Sequence, residues 1–278
     1  MRALVYDGGV DYVADRPEPV VRPGWALVDV RLAGVCRTDL EVARGYMGFR
    51  GVMGHEFVGV WDGQRVVGEI NAACGECDWC RQGLGRHCPN RTTLGIDRLD
   101  GALAERLTLP KVNLHAVPDD VTDEEAVFME PLAAAHEILE QAALPERARC
   151  VVMGDGKLGI LCAWALSTVC NDVTLVGRYP RKLDRARWNG VKTALGCQGV
   201  AKGADVVVEA TGRGQGLMES LRLVKPRGLL VLKSTVVSQG ELNLALAVVN
   251  EVTVLGSRCG PFGRALKALR AFRFPVTR

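Results

Sequence analysis

The first part of the chain is a series of short apolar runs that glycine, proline and aspartate interrupt. Between residues 1 and 115, such runs lie at 26–33 (ALVDVRLA), 55–61 (HEFVGVW) and 64–70 (QRVVGEI). Short valine-rich runs separated by turn residues are typical of β-strands. The pattern therefore predicts a β-barrel or β-sandwich for this part of the chain.

The pattern changes from about residue 148 onward. Apolar runs now alternate with helical segments, at 150–153, 172–177, 204–210, 228–233 and 251–256. Nearly continuous apolar strands separated by helices indicate βαβ units around a buried parallel sheet. We therefore predict an α/β fold, with a β domain over 1–143 and a doubly wound parallel-sheet domain over 144–278.

A helix is predicted where the two halves meet. Thr122 and Glu125 have the spacing of a capping box, ahead of the segment DEEAVF. Pro131 suits the first position of a helix, because a residue there needs no backbone N–H. The segment LAAAHEILEQAA is therefore expected to be helical from Pro131 onward.

Composition and charge narrow the classes of partner. Hydrophobic residues make up 48% of the chain, and the net charge of +3 is too small to favour nucleic acid or an anionic membrane. The most apolar stretch, 158–170, is too short to span a bilayer. The N-terminus lacks the apolar core of a secretory signal, so the chain's cysteines are expected in a reducing, cytoplasmic compartment.

The segment G-D-G-K-L-G at 154–159 follows the first apolar strand of the second half and precedes a helix. This strand–turn–helix position is where a dinucleotide-binding turn is required. Gly154 permits the tight turn, Gly156 lets a pyrophosphate approach the backbone, and Gly159 lets the helix pack against the strand. Lys157 and Leu158 complete the predicted site; the alternative is a glycine-rich turn without a ligand.

The end of the second strand normally distinguishes NAD from NADP. An acidic residue about 20 positions after the motif would bind the adenosine ribose, but Gly177 and then Arg178 stand there. An arginine beside the ribose favours the 2′-phosphate of NADP. The sequence thus favours NADP over NAD, unless Arg178 is merely a solvated residue at a helix start.

A run of cysteines forms a second candidate site, within the lobe 74–88 (CGECDWCRQGLGRHC). Its members are Cys74, Cys77, Cys80 and Cys88. Four thiolates provide a complete tetrahedral shell for a structural zinc ion. The alternatives are an iron–sulfur cluster, or cysteines that are bare or disulfide-bonded, although the seven residues before the fourth cysteine do not match the usual cluster spacing.

These motifs and others occur in an order that resembles the zinc-dependent medium-chain dehydrogenases, which are alcohol dehydrogenase-like. The shared motifs are C-x-T-D at 36–39, G-H-E-x-x-G at 54–59, the cysteine lobe, E-P-L at 130–132 and G-x-G-x-x-G at 154–159. The resemblance covers essentially the whole chain. It implies a GroES-like catalytic domain followed by a Rossmann domain, as in the polyol, glucose and threonine dehydrogenase branch.

The resemblance also implies a second, catalytic zinc ion bound by Cys36, His55 and Glu130. Glu56 would be an alternate ligand or a hydrogen-bond partner of the ligands, and Thr38 would relay the proton of the substrate alcohol. Catalytic zinc takes three protein ligands and keeps a fourth position open. The implied reaction is hydride transfer between an alcohol and a nicotinamide coenzyme, with Thr211 and Gly212 facing the nicotinamide side.

The same resemblance implies a homodimer or homotetramer that acts on a small alcohol or carbonyl substrate. One departure matters, because family members usually continue beyond the position of Arg278 and return to complete the catalytic domain. That return is expected to be shortened or absent. A zinc- and dinucleotide-binding module without activity is therefore the alternative function, and an NADPH-dependent carbonyl reductase is a third.

Overall fold

The computed structural model describes residues 1–235 and 243–277 and divides into two compact units, Met1–Glu130 and Pro131–Val276, with Thr277 grouped with the first. The strands of the first unit are β1 (Ala3–Tyr6), β2 (Val10–Val13), β3 (Trp25–Gly34), β4 (Gly51–Val52), β5 (Glu56–Trp61), β6 (Gln64–Gly68), β7 (Asn71–Ala72), β8 (Thr92–Leu94), β9 (Arg98–Leu99), β10 (Arg106–Pro110) and β11 (Leu114–Ala116). Its helices are α1 (Arg37–Val42), α2 (Asp78–Arg81) and α3 (Asp123–Ala126).

The first unit is built from small, mostly antiparallel sheets. The longest has the strand order β10-β3-β5-β6-β11, and shorter sheets have the orders β2-β1-β4 and β7-β8-β9. The three apolar runs predicted as strands correspond to β3, β5 and β6. Strands β3 and β5 pair antiparallel, with Gly34 opposite Glu56. This register brings the residues after β3 close to the residues that begin β5.

Helix α4 (Met129–Gln141) begins in the first unit and continues into the second. The further elements of the second unit are β12 (Arg149–Met153), α5 (Lys157–Ser167), β13 (Asp172–Gly177), α6 (Pro180–Ala186), β14 (Lys192–Leu195), β15 (Ala204–Glu209), α7 (Gly214–Leu223), β16 (Val224–Leu232), α8 (Ala245–Val249), β17 (Thr253–Gly256) and α9 (Phe262–Phe272). Its strands form one parallel sheet in the order β14-β13-β12-β15-β16-β17. This is the doubly wound order of dinucleotide-binding folds, with the reversal of strand order between β12 and β15. The predicted α/β fold is confirmed.

The sheet of the second unit buries its apolar residues on both faces. Successive side chains of a strand point to opposite faces, and Val206, Val207 and Val208 of β15 are each at most 3% exposed. Leu221 of α7 covers one face. Burial on both faces explains why these strands read as continuous apolar runs in the sequence.

Of two local expectations where the halves meet, one agrees with the structure and the other differs by two residues. The capping box is present, because Thr122 Oγ1 accepts the N–H of Glu125 at 3.2 Å and the Glu125 carboxylate accepts the N–H of Thr122 at 2.9 Å. Helix α4, however, begins at Met129 and not at Pro131. Pro131 lies in its first turn, where the missing N–H costs no helical hydrogen bond.

The two compact units divide after Glu130, whereas the predicted domain boundary lies after residue 143. The chain beyond β17 belongs to the second unit as far as Val276. There the ring of Phe274 stacks on Trp164 at a centroid distance of 6.4 Å. Among the described residues, every helix is too short or too polar to cross a membrane.

Candidate zinc and dinucleotide sites

The cysteine lobe brings its four sulfur atoms together. The Sγ atoms of Cys77 and Cys80 lie 3.5 Å apart, and those of Cys77 and Cys88 lie 3.7 Å apart. Cys74 closes the ring at 3.5 Å from Cys88 and 3.9 Å from Cys80. A tetrahedron with zinc–sulfur bonds of about 2.3 Å has sulfur–sulfur edges of about 3.8 Å.

These distances argue against two of the alternatives, a disulfide bond and an iron–sulfur cluster. All four cysteines are free, and their sulfur atoms lie well beyond the length of a disulfide bond. An iron–sulfur cluster distributes its cysteines over several iron atoms, whereas these sulfurs surround one centre. The lobe thus has the geometry of a site for a single ion such as zinc.

The backbone around the lobe favours a thiolate. The N–H groups of Glu76 and Cys77 point at the sulfur of Cys74 and lower the pKa of its thiol to about 6. Burial and the neighbouring thiols act in the opposite direction on Cys80 and raise its pKa to about 12. The backbone N–H groups therefore favour the thiolate form of Cys74. A bound cation would stabilise the thiolate form of the whole set.

A second cluster lies where β3 ends and β5 begins. Metal-ligating atoms of Cys36, His55 and Glu56 all lie within 4.8 Å of one another. The pairing of Gly34 with Glu56 produces this arrangement, because Cys36 is two residues beyond Gly34 and His55 directly precedes β5. A Cβ atom on Gly34 would lie 2.4 Å from the Glu56 carboxylate, so glycine is needed for the carboxylate to lie there.

Asp39 joins the two halves of this cluster. Its Oδ2 atom accepts the backbone N–H of Cys36 at 2.6 Å. Its Oδ1 atom lies 3.1 Å from Nδ1 of His55. A carboxylate on Nδ1 directs the Nε2 lone pair of a neutral imidazole toward a metal ion. Sequence reasoning quoted Asp39 within a motif but gave it no role.

Charge accumulates around His55. Burial disfavours its protonated form, but the hydrogen bonds of Asp39 and Cys36 and the charges of Asp39 and Glu130 together raise its pKa well above the usual value. Glu130, at the start of α4, therefore acts on the imidazole from within the same unit. Thr38 is also close, with its Oγ1 atom 3.8 Å from the Cys36 sulfur. A largely buried cluster of thiol, imidazole and carboxylate groups suits a divalent cation.

The predicted ligands are thus not all equally close to one another in the structure. It groups Cys36 and His55 with Glu56, which sequence reasoning treated as an alternate ligand. Glu130, the predicted third ligand, reaches His55 through its charge and lies outside that closest group. Both carboxylates remain candidates for the third position.

The glycine turn has the shape that a dinucleotide requires. Gly154 has a φ of +118°, a conformation that favours glycine. A Cβ atom on Gly159 would lie 1.9 Å from the Gly154 carbonyl oxygen, so α5 packs directly on the turn. A Cβ atom on Gly156 would meet no atom within 4 Å, which leaves open space at the N-terminus of α5 for a pyrophosphate. These residues fit a nicotinamide dinucleotide.

The turn after β15 lies beside this loop. A Cβ atom on Gly154 would lie 2.8 Å from the carbonyl oxygen of Ala210, the residue before Thr211. The N–H of Thr211 donates to Glu209 at 2.6 Å, and the N–H of Gly212 donates to Ser234 at 2.9 Å. The predicted pair therefore lies at the reversal of strand order, where such folds bind their ligands.

Comparison with known proteins adds the following findings. Residues 22–119 match the alcohol dehydrogenase GroES-like domain. The L-threonine 3-dehydrogenase of Chelativorans sp. (strain BNC1) is 32% identical over 78% of this chain and 71% of its own length. The sorbitol dehydrogenase of Halalkalibacterium halodurans is 27% identical over 93% of this chain and 84% of its own. A solved structure of a zinc-binding dehydrogenase from Sinorhizobium meliloti 1021, bound to NADP, is 26% identical, covers 97% of this chain and 88% of that one, and superposes with a TM-score of 0.86.

Proposed function

The chain belongs to the zinc-dependent medium-chain dehydrogenase family, and from this premise we propose that it oxidises a polyol, a sugar or another polar secondary alcohol. As a member it is an oxidoreductase that interconverts an alcohol and its carbonyl compound by hydride transfer with NAD(P). The proposed substrate class rests on the relatives' names, because threonine and sorbitol are secondary alcohols that carry further polar groups.

The observation that carries the proposal is the cluster of half-buried Cys36 with buried His55 and Glu56, together with the hydrogen bond between Asp39 and His55. Three protein ligands leave a catalytic zinc ion one open position, whereas the four sulfurs of the lobe would leave none. We propose that Cys36 and His55 hold the catalytic zinc together with Glu130, and that Glu56 exchanges with it or with water. A zinc ion in the cysteine lobe would be structural.

The chain's own residues have separate parts in the proposed reaction. Zinc, when bound, polarises the alcohol oxygen and lowers its pKa, and the nicotinamide accepts the hydride. Asp39 holds the imidazole of His55 in one tautomer and orientation. The hydroxyl of Thr38 lies beside Cys36, where it would accept the alcohol's proton while passing its own proton on toward solvent.

The test of the ligand set compares two variants, Glu130→Gln and Glu56→Gln. The zinc content of each is measured by atomic emission, with the four-cysteine ion as an internal reference. Glu130→Gln is expected to lose the catalytic ion, and Glu56→Gln is expected to keep it. The reverse result would make Glu56 the third ligand.

The test of the reaction measures the absorbance of the reduced nicotinamide with a panel of polyols, sugars, L-threonine and simple secondary alcohols. Turnover is expected with at least one polar secondary alcohol and to be lost when zinc is removed. Full zinc and coenzyme binding without turnover on any substrate would favour the alternative, a binding module without activity. Faster reduction of a carbonyl with NADPH at neutral pH would favour the reductase.

We propose a homodimer or homotetramer that forms through the edge strand β17. This strand ends the parallel sheet, and Val254 on it is 48% exposed. Val248 and Val249 of the preceding helix α8 are 76% and 77% exposed. An apolar edge strand favours pairing with another copy. We also place the enzyme in the cytoplasm, because its cysteines are free and a reducing compartment would keep them so.

The coenzyme is a nicotinamide dinucleotide, and the choice between NAD and NADP depends on the end of β13. The preference for NADP that Arg178 suggests stays a prediction from the sequence. Arg178 is exposed, and its guanidinium lies 5.6 Å from the ring centroid of Tyr179. In the structure, the buried carboxylate of Asp155 accepts the backbone N–H of Arg178. The sequence alone did not indicate this contact.

A further inference from the structure

Asp155, the second residue of the glycine turn, reaches across to the end of the neighbouring strand. Its Oδ2 atom accepts the N–H of Arg178 and the N–H of Tyr179, each at 2.7 Å. These two residues directly follow β13. Asp155 is 8% exposed, so its carboxylate is fixed within the fold and does not move freely in solvent.

The carboxylate fills the space that a side chain at position 177 would need. A Cβ atom on Gly177 would lie 2.5 Å from Cβ of Asp155 and 2.7 Å from its Oδ2 atom. In dinucleotide-binding folds, this end of the second strand is where an acidic residue binds the adenosine ribose. The acidic group that the sequence lacks at 177 is therefore supplied at the same place from the neighbouring loop.

From this geometry we infer that Asp155 selects the coenzyme and makes NAD the preferred one. The inference rests on the proposed function, because it requires the dinucleotide to bind along the glycine turn. Oδ2 is held by two backbone N–H groups, and Oδ1 accepts no hydrogen bond from the described residues. Oδ1 is thus available to accept a ribose hydroxyl, whereas a 2′-phosphate would meet a fixed negative charge.

The nearby cations oppose this effect with less force. Arg178 and Lys182 both lie against the ring of Tyr179, with Nζ of Lys182 4.7 Å from its centroid. Tyr179 is 51% exposed, so these charges are in contact with water. Solvent and salt screen exposed charges, whereas a buried, fixed charge is screened much less. We therefore expect Asp155 to set the preference for NAD, although Arg178 by itself would favour NADP.

The test measures the dissociation constants of NAD and NADP by calorimetry for the wild type and for Asp155→Asn. An asparagine oxygen can accept the same two N–H bonds, so the substitution removes the charge and keeps the turn. Asp184→Asn is the matched control, because it removes the same charge from a side chain that is 70% exposed on α6. Thermal unfolding of each variant reports whether the fold is kept.

We expect the wild type to bind NAD more tightly than NADP. In Asp155→Asn, NAD binding should weaken about tenfold and NADP binding should strengthen about tenfold, so the ratio shifts about 100-fold. Asp184→Asn should leave the ratio within about twofold. These changes appear in binding and do not depend on turnover.

Three results would overturn the inference. The first is an unchanged NAD:NADP ratio in a folded Asp155→Asn, including equal weakening of both, which would make Asp155 a structural cap. The second is tighter binding of NADP by the wild type. The third is a large gain of NAD preference in Arg178→Ala. If the wild type bound neither coenzyme, the proposed function itself would fail, which distinguishes the two failures.

Discussion

Oδ1 of Asp39 lies 3.1 Å from Nδ1 of His55, and both side chains are at most 4% exposed. The same carboxylate accepts the N–H of Cys36 through its other oxygen. One buried acid therefore sets the positions of both the sulfur and the nitrogen ligand of the proposed catalytic zinc. Removal of its charge should affect the metal before it affects the fold.

Asp39→Asn is expected to lower zinc affinity at the catalytic site by about 10- to 100-fold, because outer hydrogen bonds orient and strengthen metal-bound imidazoles. Competition with a fluorescent chelator measures this affinity. The four-cysteine site provides the internal control, since its affinity should not change. If the catalytic site of the variant bound zinc as tightly as that of the wild type, Asp39 would not orient His55.

The glycine turn allows a matched pair of substitutions. In Gly156→Ala, the added methyl group meets no atom within 4 Å, so the melting temperature should stay unchanged while coenzyme affinity falls at least about tenfold. In Gly159→Ala, the methyl group would lie 1.9 Å from a carbonyl oxygen, so the fold should lose about 2–3 kcal/mol. Calorimetry and thermal unfolding separate the two effects. Unchanged coenzyme affinity in Gly156→Ala would place the pyrophosphate elsewhere.

His136 is expected to make the stability of the fold decrease in acid. It is 6% exposed on α4 and packs edge-on against Phe274, and none of the described residues hydrogen-bonds its Nε2 atom. Burial lowers its pKa to about 4, whereas the unfolded chain titrates near 6.5. Between pH 6.5 and pH 4, the unfolded state binds a proton that the folded state does not. The free energy of unfolding is therefore highest above pH 6.5 and falls as the pH drops toward 4.

The expected loss from His136 is about 3 kcal/mol once the pH has fallen to 4. His136→Leu removes the titrating group, so urea unfolding near pH 7 and near pH 5 should show a smaller loss than in the wild type. The comparison between the two proteins cancels the contribution of zinc release in acid. An identical pH dependence in both would mean that His136 titrates normally in the folded state.

Sequence patterns predicted those parts of the molecule that local chemistry determines. The continuous apolar runs predicted the central strands β12 and β13, and the spacing of the cysteines predicted the lobe, because each feature is contained in a short segment. Strand β14 was missed, since Lys192–Leu195 is short and half exposed and thus lacks an apolar run. Element ends also shifted, as with Met129 at the start of α4.

The residues that sequence reasoning missed act across the fold. Asp39 meets His55 because β3 pairs with β5, and Asp155 meets the end of β13 because two parallel strands are neighbours. Both acids lie in motifs that the sequence revealed, Asp39 in C-x-T-D and Asp155 in G-D-G-K-L-G. Their partners were not evident, because strand pairing had to be known before either contact could be inferred.

Catalysis and stability are proposed to depend on two separate zinc sites. The most direct test compares His55→Ala with Cys77→Ser by zinc content, melting temperature and turnover. His55→Ala should keep the lobe's zinc and the melting temperature while turnover disappears. Cys77→Ser should lose the lobe's zinc and roughly 5–10 °C of melting temperature, equivalent to about 3 kcal/mol. Full thermal stability with loss of turnover alone in Cys77→Ser would contradict this division.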